Sequence, residues 1–390
     1  MNKRIYLDHA ATTDMLPEVS YAMEPYFVKK FGNASTAYEL GEEAKHAMEV
    51  ARKEIAACIE AKPEEIFFTS GGSESDNWAI KSIAGYRKHI GNHILTSKIE
   101  HHAILHSCEY LEKLDYKVTY LDVDKDGIVD MKQMRKLVEK GIESKKKENR
   151  VTLISVMYGN NEIGTIEPIE EICHLANRHD VYVHTDAVQA VGQVPISVKK
   201  FPVDMLSASA HKFHGPKGVG FLYVREGLDI PSFIHGGAQE KGKRAGTENV
   251  AGIVGMAKAL TIANKQITKK RRELTNLRDY FAKRIMHEIP EVYYNGHPVK
   301  RLPGNVNFSF RGVNGTALLV LLEEEGILAS AGSACTTGTT RISHVIEAIG
   351  VPKEYAYGTL RFSMGQQTTK KEVDKTIAVL KNAVELLRKE

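Results

Sequence analysis

Short runs rich in β-branched and aromatic residues alternate with amphipathic stretches through the first two-thirds of the chain, and this alternation constrains the fold more than any other feature. The runs are Ile66-Phe67-Phe68-Thr69, His93-Ile94-Leu95-Thr96, Lys117-Val118-Thr119-Tyr120-Leu121, Val151-Thr152-Leu153-Ile154-Ser155, Val181-Tyr182-Val183-His184, Met205-Leu206-Ser207 and Val219-Gly220-Phe221-Leu222-Tyr223-Val224. Between them lie helical patterns. Residues 40–61, for example, place Ala44, Ala47, Met48, Ala51, Ile55 and Cys58 on one stripe. Near-continuous apolar strands separated by helices indicate a mostly parallel sheet covered on both faces. An α/β fold is expected, with a site at the carboxyl ends of its strands, several of which run into polar or glycine residues.

A proline-free stretch rich in Ala, Lys and Leu follows at residues 250–288 and reads as one long helix between domains. The last hundred residues read as a smaller α+β unit. It holds strand-like Asn305-Val306-Asn307-Phe308-Ser309-Phe310, a helix over 316–325, a Gly/Ser/Thr-rich stretch at 330–340, strand-like Thr359-Leu360-Arg361-Phe362-Ser363 and a closing helix over 370–389. The expected division is a large domain at residues 15–260, and a small domain made of residues 1–14 and 261–390. A chain of 390 residues suits two such domains.

Composition excludes several classes. The longest unbroken apolar run, Ala317 to Leu322, falls far short of the ~18–20 residues of a membrane span. No apolar segment follows the basic residues at the N-terminus, so no signal peptide is expected. The net charge of +4 is small for a nucleic-acid binder. The runs Lys145-Lys146-Lys147 and Lys269-Lys270-Arg271-Arg272 read as solvated faces. Four scattered cysteines without a CxxC pair point to a reducing, cytoplasmic setting without disulfides or a zinc site. His101, His102 and His106 are close in sequence, but no acidic or thiolate ligand set accompanies them, and no metal is expected.

Three groups carry the chemistry. Lys212 follows a strand, between His211 and Phe213-His214-Gly215-Pro216. A strand-end lysine that is partly desolvated can lose its proton and form a Schiff base. At another strand-to-helix turn, Thr69-Ser70-Gly71-Gly72-Ser73 offers free backbone N–H groups and a hydroxyl to an anion. At a third strand end, Asp186 is placed either to cap a helix or to pair with a protonated ring nitrogen. Anion cradle, acid and amine together match the needs of pyridoxal 5'-phosphate.

The chain resembles the cysteine desulfurases of the nitrogen-fixation and iron–sulfur type (NifS/IscS-like), class V aminotransferases of fold type I. The likeness runs nearly end to end. It includes Tyr6-Leu7-Asp8-His9-Ala10-Ala11-Thr12-Thr13, Phe31-Gly32-Asn33, the Gly71-Gly72-Ser73 turn, Glu100-His101, Asn160-Asn161-Glu162-Ile163-Gly164, His184-Thr185-Asp186-Ala187-Val188-Gln189, Ala210-His211-Lys212, Arg244-Ala245-Gly246-Thr247 and Gly332-Ser333-Ala334-Cys335. The resemblance implies that Lys212 holds the cofactor and moves protons, that Asp186 pairs with its ring nitrogen and that Gln189 bonds its ring hydroxyl. Gly72, Ser73, Ser209 and His211 would hold the phosphate, with Thr247 reaching it from the partner subunit of a homodimer. His101 would stack on the ring. Asn161, Asn33 and Arg361 would bind the substrate carboxylate, although Arg361 read alone is a surface ion pair.

Cys58, Cys108 and Cys173 lie on apolar helix stripes and read as small core residues. Cys335 lies instead among Gly, Ser, Ala and Thr, in the setting of a reactive loop thiol. The resemblance implies that it takes sulfur from L-cysteine, leaving L-alanine and a persulfide. That sulfur would pass to an acceptor protein for iron–sulfur cluster assembly or tRNA thiolation. Met157-Tyr158-Gly159, Ala34, Tyr38, His9 and Ala10 depart from residues common in the family, and none removes a catalytic group. An aminotransferase would not need Cys335. A selenocysteine lyase shares most of the site, and a non-catalytic sulfur-transfer scaffold would tolerate loss of Lys212 or Asp186.

Overall fold

The computed structural model describes residues 4–331 and 342–389. After a short strand β1 (Ile5–Tyr6), seven strands form the main sheet: β2 (Ile66–Thr69), β3 (His93–Ser97), β4 (Lys117–Leu121), β5 (Val151–Ser155), β6 (Tyr182–Asp186), β7 (Met205–Ser209) and β8 (Gly220–Val224). Their order is β2-β8-β7-β6-β5-β3-β4. Only β8 runs antiparallel to its neighbours. Every residue of β2, β3, β5, β7 and β8 is buried, which is why these strands read as unbroken apolar runs. The edge strand β4 alternates less deeply into the core, and its first residue, Lys117, is exposed.

Helices cover both faces. The helix Glu39–Cys58 buries Ala44, Met48, Ala51 and Ile55 along the stripe expected from its spacing. The helix Gly72–Arg87 lies on the other face, with Trp78, Ile80 and Ile83 in a core shared with Leu153 and Leu222.

The helix Val250–Glu288 is about 58 Å long at 1.5 Å per residue. Its first half, from Ala251 to Leu260, packs into the core of the main sheet. Its second half places Leu274, Phe281, Ala282 and Ile285 in a separate core. That second core is built on the antiparallel strands β9 (Val292–Tyr294), β10 (Asn305–Phe310) and β12 (Thr359–Ser363), in the order β12-β10-β9. The remaining strand, β11 (Ile327–Leu328), pairs with β1 and so ties the N-terminus to this second unit.

One loop is pinned by buried charge. The Arg52 guanidinium bonds both Glu240 carboxylate oxygens, at 2.8 and 2.9 Å, and the Ile66 carbonyl. The loop that leads to Thr247 is thereby tied to the helix Glu39–Cys58 and to β2. Among the described residues no helix is long and apolar enough to cross a membrane.

Candidate active site

Five strands of the main sheet end at one edge, and the loops that follow them meet there. β2 leads into Gly71 and Gly72, β3 into Glu100 and His101, β5 into Met157–Gly164, β6 ends on Asp186, and β7 ends on Ser209 before Lys212. This edge is the crevice outside the carboxyl ends of the strands, where α/β sheets bind ligands.

Gly71 has φ +149°, a conformation that favours glycine, and it precedes the 16-residue helix Gly72–Arg87. A Cβ on Gly72 would stand 2.5 Å from Val188 Cγ2, so only glycine lets this backbone close on the β6 loop. A Cβ on Gly71 would lie 3.5 Å from Ser209 Oγ. Exposed Ser73, buried Ser209 and the first N–H groups of the helix thus surround one anion cradle at the positive end of a helix dipole. Burial, with Lys212 and Lys217 nearby, pushes His211 down to about 4. At neutral pH it is an uncharged imidazole, with Nδ1 3.1 Å from Thr12 Oγ1. The Arg244 guanidinium bonds Glu74 through two nitrogens, at 2.8 and 3.1 Å, which anchors its loop to the same helix, and Thr247, three residues on, is exposed.

Lys212 donates from Nζ to the carbonyls of Ala10 and Ala11 at 2.6 and 2.8 Å. Gln189 Nε2 donates to the same Ala10 carbonyl at 2.9 Å. The N-terminal segment is therefore a wall of the site. Asp186 is 6% exposed, and its Oδ1 accepts from Val188 N at 2.9 Å. This is a local turn and not the helix cap that its position at a strand end also allowed, since no helix follows it. Burial raises Asp186, while His101, the Val188 N–H and Lys212 pull it back down. His101 caps the helix His102–Glu112. Its Nδ1 accepts from Ala103 N at 3.1 Å, so a neutral ring carries its proton on Nε2.

Two carboxyls that carried no role in the sequence reading lie beneath this group. One donor atom each of Asp76, His101 and Asp186 lie within 4.8 Å of one another. Burial, then the Asp186 charge, pushes Asp76 well above the usual carboxylate range, against a hydrogen bond from Ser207. Asp186 has a backbone donor and two basic neighbours, so it keeps the negative charge and Asp76 keeps the proton. His184 lies 3.7 Å from Asp76, but burial pushes it down to about 3, so this contact is between neutral groups. His184 bridges Ser155 Oγ and Ser207 Oγ, both at 2.9 Å, and so continues the buried polar chain. An acid one turn into a helix whose neighbours are Trp78, Ala79 and Ile80 was the available signal for Asp76.

Glu100 is fully buried. It accepts from Ser97 Oγ at 2.6 Å and from Met157 N at 3.0 Å, yet burial raises it to about 8. A folded-state value above the unfolded one gives stability that is complete below the unfolded value and is lost as pH rises through the folded one. The native protein is therefore expected to lose stability between about pH 5 and 8. Glu100→Gln, which cannot ionise, should flatten that slope by up to a few kcal/mol across the interval. Chemical denaturation at both pH values measures it, and an unchanged slope in the variant would contradict the assignment.

Arg361 is the third residue of β12 and is buried, not on the surface. It donates to Asp8 Oδ1 at 2.7 Å and to the Asn161 carbonyl at 2.9 Å, while its buried Nε has no partner among the described residues. Asn161 and Arg361 are thus brought together. Asn33 is bound into its own turn, with Oδ1 accepting from Ser35 N at 2.9 Å. Backbone bonds join Ser330 and Arg361 in both directions. Ser343 Oγ donates to Glu162 Oε2 at 2.6 Å. Cys335 lies between these anchors and outside the described residues.

The aminotransferase class-V family model matches residues 5–376. A cysteine desulfurase IscS of Dictyoglomus turgidum is 50% identical over 388 residues, covering 100% of this chain and 96% of that one. The structure of a NifS-like protein superposes with a TM-score of 0.90 at 36% identity, over 98% of this chain and 100% of that one. A structure of SspA in complex with cysteine superposes with a TM-score of 0.80 at 34% identity, over 94% and 100%. The chain belongs to the aminotransferase class-V family, in its NifS/IscS-like cysteine desulfurase branch.

Proposed function

We propose that the protein is a pyridoxal-phosphate-dependent cysteine desulfurase that converts L-cysteine to L-alanine and receives the sulfur on Cys335. The observation that carries this reading is the convergence of Lys212, Asp186 and His101 beside the Gly71–Gly72 turn, with Arg361 held to Asp8 and the Asn161 carbonyl. The donor set fits the cofactor: backbone and hydroxyl donors for a phosphate, a charged acid for a ring nitrogen and an amine for an aldehyde. When bound, the cofactor would draw electrons from the bonds around the substrate's α-carbon.

The chain's own residues divide the remaining work. Gly72, Ser73, Ser209 and His211 would hold the phosphate, with Thr247 added from the partner subunit. Asp186 would keep its charge for the ring nitrogen, Gln189 would serve the ring hydroxyl, and His101 would lie against the ring and move protons. Lys212 secures the cofactor and shuttles the α-proton. Arg361, with Asn161 and Asn33, would take the substrate carboxylate, for which its Nε, without a partner among the described residues, offers a donor. The Cys335 thiolate attacks the substrate sulfur. An S–S bond forms as the substrate's Cβ–S bond breaks, and the carbon is protonated to give alanine. Cys335 is four residues beyond Ala331, a tether of at most about 14 Å.

Tyr21, Phe27, Val28, Phe31 and Tyr38 are large apolar residues left exposed within one N-terminal segment, which suits a homodimer completing two equal sites. We read residues 15–260 as the cofactor-binding domain and residues 1–14 with 261–390 as the small domain carrying Cys335. A cytoplasmic setting and a sulfur-acceptor protein, for iron–sulfur assembly or tRNA thiolation, complete the reading. Borohydride reduction of the yellow protein should fix the cofactor on the peptide containing Lys212. A label on another lysine, or protein that stays colourless with added cofactor, would overturn it.

A further inference from the structure

Beside the candidate active site, three imidazoles meet on the surface. His102 and His106 are one turn apart at the start of the helix His102–Glu112, with rings stacked at 5.0 Å between centroids. His344, the first residue of the helix His344–Ala348, places its ring 5.0 Å from that of His102. The sequence reading set a metal aside because no acidic or thiolate ligand set accompanies His101, His102 and His106. The fold adds a further imidazole, His344, from the far end of the chain.

Two histidines at i and i+4 share one helix face, the spacing that lets both rings reach a single ion. His344 is already oriented. Its Nε2 lies 3.0 Å from the Glu100 carbonyl oxygen. A carbonyl only accepts, so this nitrogen carries the proton and Nδ1 keeps its lone pair. A backbone carbonyl holding the second nitrogen in this way is the usual support of a metal-ligating histidine. His102 and His106 are exposed and His344 is half-buried, so an ion reaches them from solvent. The His102 and His106 rings are stacked and the His344 ring is tilted against His102, so the side chains must turn to bring three nitrogens onto one ion.

We propose that His102, His106 and His344 bind one divalent transition-metal ion of the Zn2+ class, clamping the starts of the two helices together. Three neutral nitrogen donors without a carboxylate select Zn2+, Co2+ or Ni2+ over Mg2+ or Ca2+, and leave a fourth position for water or an outside ligand. The site uses none of Asp76, His101 and Asp186, although the His101 ring centroid lies 6.4 Å from that of His102, and it does not depend on the desulfurase reading.

Calorimetric titration of cofactor-loaded protein with Zn2+ tests it, in a Cys335→Ala background so that the thiol does not compete. One saturable ion per chain is expected, with affinity falling about tenfold or more in both His106→Ala and His344→Ala. Melting curves taken without metal should show both variants folded. No saturable binding up to about 1 mM would overturn the proposal. So would an affinity unchanged in the variant that replaces all three histidines with alanine.

Discussion

Lys212→Ala should lower alanine formation from L-cysteine by about 10⁴-fold or more. Proton transfer by a positioned side chain is worth ~10²–10⁴ by itself, and this residue also secures the cofactor. Its amine is held at the Ala10 and Ala11 carbonyls, on the side of the site where it also acts on the Asp186 charge. Lys212→Arg should fail nearly as completely, because a guanidinium cannot give up its proton at neutral pH. Lys212 is half-buried and lies three residues past the end of β7, so neither change removes core packing. Initial rates at saturating cofactor, with melting curves for both variants, provide the check. Activity of a folded Lys212→Ala within tenfold of native would contradict the assigned role.

Cys335→Ala should lower alanine formation on the order of 10³-fold or more while the cofactor's colour stays. The other three cysteines cannot replace it. Burial pushes the Cys58 thiol up to about 11, and pushes Cys108 and Cys173 up to about 12. At pH 7 a thiol with a pKa of about 11 is ionised to about 10⁻⁴, and only the thiolate attacks. Cys58→Ala should therefore leave the rate within about twofold of native. A Cys335→Ala protein that makes alanine at the native rate would move the chemistry to a mechanism in which sulfur leaves without a protein thiol.

The sheet was legible because its strands are buried on both faces, and burial of that kind writes continuous apolar runs into the chain. The helix Val250–Glu288 was legible for a related reason: no proline or strand-like run interrupts it. The reversed direction of β8 was not legible, since local pattern carries no information about which way a strand runs. At the site, Gly72, Asp186 and Lys212 stood out because each lies at or just past a strand end, a position visible in sequence, whereas Ser209 and His211 took their roles from the family resemblance. Asp76, Glu100 and Asp8 did not, because their importance comes from what the fold packs against them. Asp76 meets Asp186 and Ser207, Glu100 meets Met157 N, and Asp8 meets Arg361 across most of the chain length. Arg361 itself reads as an ordinary strand arginine until β12 is placed inside the second core. His344 shows the same limit, since nothing near it in sequence announces His102. The roles of Thr247 and Cys335 rest on family resemblance, because one depends on a second subunit and the other lies outside the described residues.

The most direct measurement is the mass of the Cys335 peptide after a single turnover with L-cysteine in the absence of reductant. The account predicts a peptide one sulfur atom heavier, with one alanine released for each modified site. Alanine release with an unmodified Cys335 peptide and free sulfide in solution would contradict it.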